Sequence, residues 1–546
     1  MKVENWSKRK RSSMVMEKDK IVDMLKGFIS LIDSTENIYD IIACCCDYIF
    51  PVIQNEEQFI SMYYDEIPTP SPDGVESGEG NRNPNHEQLN NLRHSIQSRL
   101  MEMPIITLID QGKEHPDFKS FKGFLALLLA EIVLQDYYDP VYNQATIPYV
   151  VLHTIDRFIP SLPDRHKPKS GPLGKNYDRY NTLVYPAADN TIISVASIKS
   201  EFRHKVHTSK IRECVTSVRL VQREQLLRGA GIPKIIGLDI EKDESLLKTI
   251  NDRKISLAFI PYSIHREFDF CQFAGSAYII KYNHSDKDIM EKRCKILLER
   301  AIMAKANIIA FPEYIVSETM LNEIKHFLLQ KNRSDLDSLI MVIAGSKWDE
   351  KSNNNVLCIL DKYGNEVGKY YKYSPYTRQM EYGHNVFDLC ECLSTPGREC
   401  TVINVNGIGH ILPAICRDVI DAYYTDTLAE FFHPALVIAP AWSKSLRPFY
   451  SRIKSYANKF HTSSFILNSC HANGRKPSTF ACACFPKKEE REIQGEITKM
   501  RSSSNCIKNC DSNGCVFLIK VDYSVDSEFD PQIRSVWKPK IRCEQI

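Results

Sequence analysis

The sequence has no apolar run long enough to cross a bilayer. The longest, GFLALLLAEIVL at 123–134, contains Glu131 and is shorter than the ~20 residues that a membrane helix needs. The N-terminus lacks the apolar stretch and small-residue cleavage site of a secretory signal. An excess of one charge is also absent, because the formal net charge is +2. We therefore expect a cytoplasmic protein without a membrane partner, and nucleic acid is not indicated.

Motifs for several kinds of chemistry are missing as well. We find no glycine loop of the phosphate-binding kind and no paired carboxylates of the polymerase kind. The 18 cysteines form no small-domain disulfide framework, so reduced thiols are expected. The triplet at Cys44, Cys45 and Cys46 lies in an apolar segment and predicts core packing.

A zinc site is the alternative for five late cysteines. Their spacing matches no common zinc pattern, so we predict neither a metal nor a cofactor, although four thiolates could clip this segment together. The five are Cys482, Cys484, Cys506, Cys510 and Cys515.

Changes in composition along the chain predict its division into parts. Helical periodicity dominates the first part, and strands alternate with helices from about residue 254. The predicted parts are a mostly helical domain at 1–160 with a mobile linker near 68–90, a connecting α/β or helical segment at 161–250, an α/β domain at 254–525 with a polar insertion near 486–514, and a C-terminal tail at 526–546.

The connecting segment contains two predicted elements. NTIISVASI at 190–198 favours a short strand, because β-branched residues dominate it. RECVTSVRLVQREQLLRGAG at 212–231 favours a helix that ends at its glycines. Neither element carries a motif with recognisable chemistry.

Polar residues follow three segments of the α/β domain. Glu313 closes IIAFPE, Lys372 lies in GKYYKYSP and Cys416 closes ILPAIC. Ligands of α/β proteins gather at the carboxyl ends of strands, so these ends predict a site. A small buried Cys is the ordinary alternative for Cys416, and turn capping is that for Glu313. Lys369 and Lys362 compete with Lys372.

Glu, Lys and Cys together suit attack of a thiolate on a carbonyl or nitrile carbon. A free thiol is mostly protonated at neutral pH, so it needs a base or a nearby cation to become nucleophilic. A buried carboxylate can take that proton and later activate water. A lysine can stabilise the oxyanion, together with the backbone N–H that follows the nucleophile.

These residues resemble the motifs of the nitrilase, or carbon–nitrogen hydrolase, superfamily. That family has Glu, Lys and Cys in this chain order, as in Phe311-Pro312-Glu313, then Gly368-Lys369-Tyr370-Tyr371-Lys372, then Cys416-Arg417-Asp418. The resemblance covers about 254–525. It implies an α-β-β-α sandwich, pairing of subunits through helical faces and no cofactor. By the same resemblance Glu313 is the general base, Lys372 the oxyanion stabiliser, Cys416 the nucleophile and Glu381 the residue that orients lysine and substrate.

The chain departs from the family pattern beside the nucleophile. An aromatic residue often follows the cysteine in the family, whereas Arg417 stands here. Arg417 is either a solvent-facing residue at a helix start or a contact for a substrate carboxylate. The usual histidine after the lysine is absent, and a polar insertion delays the final strand. These departures concern the substrate pocket more than the three motif residues.

The resulting prediction is a thiol-dependent hydrolase that cleaves a non-peptide carbon–nitrogen bond of a small amide through a thioester. We expect a homo-oligomer formed by the nitrilase-like domain. The alternative is a nitrilase-like domain that binds or senses a ligand within a multi-domain assembly, such as a bacterial conflict (defence) system. The long segment before residue 254 motivates that alternative.

Overall fold

A computed structural model of the chain divides into two compact units, Met1–Ala187 with Phe202–Glu224, and Ala188–Glu201 with Gln225–Ile546. The structure describes residues 23, 26–53, 84–109, 116–134, 140–162, 169–174, 177–187, 215, 217–224, 232–238, 240, 244–261, 268–274, 277–282, 287–382, 385–393, 400–469, 479–489, 492–501, 515–524 and 539–546. Within these ranges no helix combines the length and apolarity that a bilayer crossing requires.

The first unit is mainly helical, in agreement with the sequence. After a helical stretch at 26–33, its helices are α1 (Ile38–Val52), α2 (Pro84–Glu102), α3 (Ile105–Ile109), α4 (Pro116–Leu134) and α5 (Pro140–Phe158). Helix α1 packs against α5, which also contacts α2. Residues 84–90 of the predicted linker are helical, and the rest of that linker lies outside the described residues.

The cysteine triplet belongs to the core of this unit. Cys44, Cys45 and Cys46 lie in α1 with exposures of 1%, 0% and 0%. They share a hydrophobic cluster with residues of α2, α4 and α5. Burial raises the pKa of the Cys45 and Cys46 thiols well above the usual value. These thiols therefore act as small apolar side chains.

The predicted helix at 212–231 is wrong for its central part. Residues there form β2 (Val218–Gln222), which pairs antiparallel with β1 (Thr182–Pro186). Val218, Leu220 and Val221 are buried, so pairing with β1 overrides the helical reading of a short apolar run. The strand predicted at 190–198 lies outside the described residues.

Two seven-stranded sheets form the body of the second unit. The strands of the first sheet, in their order across it, are β10 (Glu366–Tyr371), β9 (Asn354–Asp361), β8 (Met341–Asp349), β7 (Ile308–Ala310), β4 (Lys254–Phe259), β19 (Phe517–Asp522) and β20 (Lys540–Gln545). The strands of the second sheet, in their order across it, are β18 (Glu492–Arg501), β17 (Thr479–Glu489), β16 (Ser463–Asn468), β15 (Leu436–Ala441), β14 (Gly409–Pro413), β13 (Thr401–Val405) and β3 (Lys234–Leu238).

Aromatic side chains join the two sheets face to face. Phe480 of β17 contacts Phe259 of β4 and Phe517 of β19, with ring centroids 6.1 and 4.5 Å apart. Tyr523, just after β19, donates to Ser463 of β16 at 2.9 Å. The inner faces of both sheets therefore share one core, as in other sheet-on-sheet packings.

Helices cover both outer faces. Helices α7 (Lys287–Met303) and α8 (Glu318–Gln330) share a hydrophobic cluster with the first sheet. Helices α9 (Ala422–Phe432) and α10 (Arg447–Phe460) contact each other, and α10 packs on β16 and β17 of the second sheet. The short α6 (Glu244–Asn251) precedes β4. The layer order is that of the α-β-β-α sandwich predicted from the sequence.

A four-stranded sheet is added to this sandwich, in the order β11-β12-β6-β5. Its strands are β5 (Phe268–Ala274), β6 (Ala277–Tyr282), β11 (Thr377–Tyr382) and β12 (Asn385–Glu391). The hairpin β5-β6 separates β4 from α7 and pairs with β12, since Cys390 and Glu391 lie opposite Ala277 and Tyr278. The hairpin β5-β6 is thus joined to the end of β12 by two residue pairs.

Three strands lie beyond the predicted bounds of the α/β domain or inside its predicted insertion. β3 precedes residue 254 and pairs in parallel with β13. β20 lies in the predicted tail and pairs with β19. β18 and the end of β17 fall within 486–514 and form a hairpin. Pairing with neighbouring strands makes these segments part of the sheets, whereas the sequence analysis assigned their residues to the connecting segment, the tail and the insertion.

Candidate active site

The predicted residues Glu313, Lys372 and Cys416 meet at one edge of the two sheets. Glu313 follows β7 and Lys372 follows β10, both of the first sheet, whereas Cys416 follows β14 of the second. β10 runs in the same direction as β7 and β8, because two antiparallel pairings separate it from β8. All three side chains therefore lie at carboxyl ends of strands, as expected for an α/β site.

The backbone at Cys416 is held in an unusual conformation. Its φ is 44°, in the left-handed region that residues with a Cβ rarely adopt. A 3-10 turn, Cys416–Val419, starts at this residue. The first N–H group that is bonded within the turn is that of Asp418, which donates to the carbonyl oxygen of Ile415. The N–H of Arg417, the residue directly after the cysteine, takes no part in the hydrogen bonds of the turn. Strain of this kind is found at functional sites.

Glu313 is fixed by three donors from different strands. Its Oε1 accepts from Asn355 Nδ2 at 2.9 Å and from Lys372 Nζ at 2.9 Å. Its Oε2 accepts from the N–H of Trp442, after β15, at 2.8 Å. The side chain is 1% exposed. These bonds orient the carboxylate and satisfy it in the absence of bulk water.

Asn355 connects Glu313 and Lys372 a second time. Its carbonyl oxygen accepts the N–H of Lys372 at 2.9 Å, while its side-chain amide donates to Glu313. One residue at the start of β9 therefore sets both the backbone of the lysine and the side chain of the glutamate.

A second glutamate that the sequence analysis did not select also contacts the lysine. Lys372 Nζ donates to Glu391 Oε2 at 2.8 Å. The N–H of Tyr376 donates to the same oxygen at 2.9 Å, and the Tyr314 hydroxyl bonds the other oxygen. Glu391 is the last residue of β12, so the strand-end rule that selected Glu313 is the signal that indicates it.

Asp418 joins the nucleophile turn to the segment after the lysine. Its Oδ1 accepts the N–H groups of Tyr373 at 3.1 Å and Ser374 at 2.6 Å. Desolvation raises the pKa of this buried carboxyl to about 7, although Lys372 and these N–H groups act in the opposite direction. The carboxyl therefore fixes Lys372 relative to Cys416 through the backbone.

The cysteine thiol is protonated in this environment. Burial raises its pKa well above the usual value, and the adjacent Glu313 carboxylate raises it further. Lys372 and the N–H of Trp442 oppose this shift. Cys416 is 5% exposed and lies near enough to Glu313 for that charge to raise the pKa of the thiol, so a carboxylate that can accept the thiol proton is nearby.

The charges of the buried cluster balance only if some carboxyls keep protons. Burial alone lowers the pKa of Lys372, but Glu313, Cys416 and Asp418 outweigh it and raise that pKa, so the ammonium group persists. Burial and the nearby Glu313 raise the pKa of Glu391 well above its usual value. Lys372 thus stays charged, and Glu391 holds a proton more readily than an exposed carboxyl does.

The remaining two predicted residues differ in what the structure shows. Arg417 extends to an exposed position, where Nη1 donates to Thr377 Oγ1 at 2.9 Å. Glu381 lies in β11 opposite Val386, and its side chain is outside the described residues. The orienting role of Glu381 stays a prediction.

Within the described chain no group of three His, Cys, Asp or Glu residues could hold a metal ion, and Cys506 and Cys510 lie outside that chain.

Comparisons with known proteins give matches in structure alone. No protein-family model matches the chain, and no curated protein matches its sequence. Nit3 of Saccharomyces cerevisiae, a member of branch 10 of the nitrilase superfamily, is similar over 47% of this chain and 92% of its own, with 14% identity and a TM-score of 0.30. An amidase from Nesterenkonia sp. has the same coverage and TM-score, with 10% identity.

A third similar structure belongs to a larger enzyme. It is a glutamine-dependent NAD(+) synthetase from Cytophaga hutchinsonii, matched over 45% of this chain and 43% of its own, with 12% identity and a TM-score of 0.26. The second unit itself has two facing sheets with helices on their outer faces, the α-β-β-α layering that the sequence resemblance implies.

Proposed function

We propose that the chain is a thiol-dependent hydrolase of a non-peptide carbon–nitrogen bond, of the amidase type. One observation carries the proposal: Lys372, Glu313 and Cys416 lie in one buried cluster, in which Glu313 accepts from Lys372 Nζ at 2.9 Å and its charge acts on the Cys416 thiol. This arrangement supplies the base, the cation and the nucleophile that thioester chemistry requires.

In the proposed reaction the thiol proton passes from Cys416 to Glu313 as the sulfur attacks the amide carbon. The oxygen of the tetrahedral intermediate becomes negative, and Lys372 Nζ and the N–H of Arg417 stabilise it. The carbon–nitrogen bond then breaks, and the amine leaves with the proton that Glu313 returns. The product of this half-reaction is a thioester on the sulfur.

Water completes the cycle. Glu313 takes a proton from the water molecule that attacks the thioester carbon, and the departing sulfur recovers that proton. The carboxylic acid is released and the thiol is restored. Another amine in place of water would give acyl transfer through the same thioester. Glu391 has a positioning role in this scheme, because it accepts from the ammonium group of Lys372, and the Tyr314 hydroxyl and the Tyr376 N–H hold Glu391 in place.

The test is ammonia release from a panel of primary amides by the full chain. Cys416→Ala should lower kcat by about 10⁴-fold or more, since loss of a nucleophile removes the covalent route. Cys543→Ala is the matched control, because that cysteine is exposed on β20. Mass spectrometry should find the acyl adduct on Cys416. Full activity of Cys416→Ala would refute the proposal.

A second candidate function is a ligand-binding or sensing module. The observation that favours it is the raised pKa of the Cys416 thiol, which keeps the resting sulfur protonated and slow to react. In that case the purified chain retains a small amide without releasing ammonia. Measuring bound ligand and product in the same incubation separates the two functions.

A further inference from the structure

Arg417 provides a positive charge in the residue after the nucleophile, and this charge acts on Glu391 by lowering the pKa of its carboxyl, against the larger effect of burial. Its guanidinium donates to a neutral acceptor, Thr377 Oγ1, and forms no ion pair within the described chain. By contrast, Lys372 is already bonded to two carboxylates. A guanidinium group has several further N–H donors, so one bond to a hydroxyl leaves most of its capacity unused.

The position of Arg417 relative to the reacting sulfur limits what it can contact. Cys416 and Arg417 are consecutive, so their Cα atoms are about 3.8 Å apart. The bond to Thr377, the first residue of β11, places the guanidinium at the exposed side of the site. The sulfur and the guanidinium therefore belong to side chains of the same turn, and the guanidinium lies on the side that solvent reaches.

The cation of the buried cluster is already engaged. Lys372 Nζ donates to both Glu313 and Glu391. A carboxylate on the substrate would therefore need a separate cation to meet it. Arg417 is in the right place for that cation, and its planar fork matches a carboxylate in two-point contact.

We propose that Arg417 binds a carboxylate of the substrate, so that the chain acts on amides that carry a negative charge a few carbons away from the scissile bond. This inference rests on the proposed hydrolase function. It selects the substrate-contact reading of Arg417 over the reading as a solvent-facing helix-start residue. It also assigns to the exposed side of the site a role that the buried cluster does not supply.

The test compares two series of primary amides on the full chain. The anionic series is succinamate, glutaramate and adipamate, and the neutral series is butanamide, pentanamide and hexanamide. The wild type should prefer the anionic series by about tenfold or more in kcat/KM, since a charge-assisted contact strengthens binding by that order. The preference should weaken with rising salt.

Substitution of Arg417 should then move the ratio between the two series. Arg417→Gln should reduce the anionic-to-neutral ratio of kcat/KM by about 10- to 100-fold, mainly through KM. Arg417→Lys should keep part of the preference, because it retains the charge and loses the fork. Arg542→Gln, on exposed β20, is the matched control and should not change the ratio. Circular dichroism of each variant verifies folding.

The outcomes separate this inference from the hydrolase proposal. Equal turnover of both series by the wild type, or an unchanged ratio in Arg417→Gln, overturns the role of Arg417 alone. If the wild type cleaves neither series and Cys416 gains no adduct, both proposals fail. A tenfold or larger loss of preference in Arg417→Gln, with partial retention in Arg417→Lys, supports the inference.

Discussion

Replacement of Asp418 by Asn should remove a pH dependence from the stability of the second unit. The carboxyl is 0% exposed, and desolvation raises its pKa from 3.8 to about 7. Between these two values the native state holds a proton that the unfolded state has released. Stability from this group is therefore full below about pH 4 and is lost as the pH rises towards 7.

The magnitude follows from the size of the shift. One pKa unit corresponds to about 1.4 kcal/mol, so a shift of roughly three units amounts to about 4 kcal/mol in total. Of this, on the order of 3 kcal/mol falls between about pH 5 and pH 8. Asn keeps an acceptor for the N–H groups of Tyr373 and Ser374 and cannot ionise. The charged and titratable groups that face Asp418, namely Lys372, Glu391 and Tyr370, are unchanged in the variant.

The measurement is urea unfolding of the full chain at several pH values, followed by tryptophan fluorescence. Trp348, Trp442 and Trp537 belong to the second unit, so the signal reports mainly on it. Wild type and Asp418→Asn should converge near pH 4 and diverge as the pH rises through 7, with the variant more stable at the higher pH values. Asp421→Asn is the matched control, since Asp421 is a carboxylate of the same turn region that accepts the Ser374 hydroxyl. Parallel profiles for wild type and Asp418→Asn would refute the reasoning.

Two further substitutions test the site through different routes. Lys372→Met should lower kcat on a cleaved amide by about 10²- to 10³-fold, the usual cost of losing one oxyanion donor; an effect confined to KM would contradict that role. Gly345→Ala should destabilise the second unit by about 2 kcal/mol or more, because φ is +65° and a Cβ would lie 2.3 Å from the Pro312 carbonyl oxygen. Urea unfolding measures the second effect, and an unchanged midpoint would show that the Pro312 segment can shift freely.

Local sequence was sufficient where function depends on the end of a single strand. Glu313, Lys372 and Cys416 each follow an apolar strand, and parallel strands bring such ends to one edge. Glu391 also ends a strand, but β12 reaches the site only through its pairing with β11 and with the hairpin β5-β6. That pairing is long-range, so the strand end at Glu391 indicates a site residue only once the pairing is known.

Asn355 and Val218 show the same limit in two other forms. Asn355 stands at the start of NVLCILD, a run that predicts a strand and no site residue, yet it is 0% exposed and bonded to both Glu313 and Lys372. Val218 begins a short apolar run between charged residues, and such runs do not distinguish strand from helix. Its partner strand β1 resolves the ambiguity. In both cases the deciding contact comes from a distant part of the chain.

The protonation pattern of the cluster determines the order of the proposed reaction. Burial keeps the resting thiol of Cys416 protonated, so a free thiolate cannot be the starting species. The proton must therefore move to Glu313 as the carbon–sulfur bond forms, when the new negative charge passes from sulfur to the substrate oxygen beside Lys372. Glu391 favours this transfer because its raised pKa keeps it from adding a second full negative charge at Lys372. Loss of Glu391 should accordingly affect the chemical step more than substrate binding, which makes kcat rather than KM the quantity that reports on it.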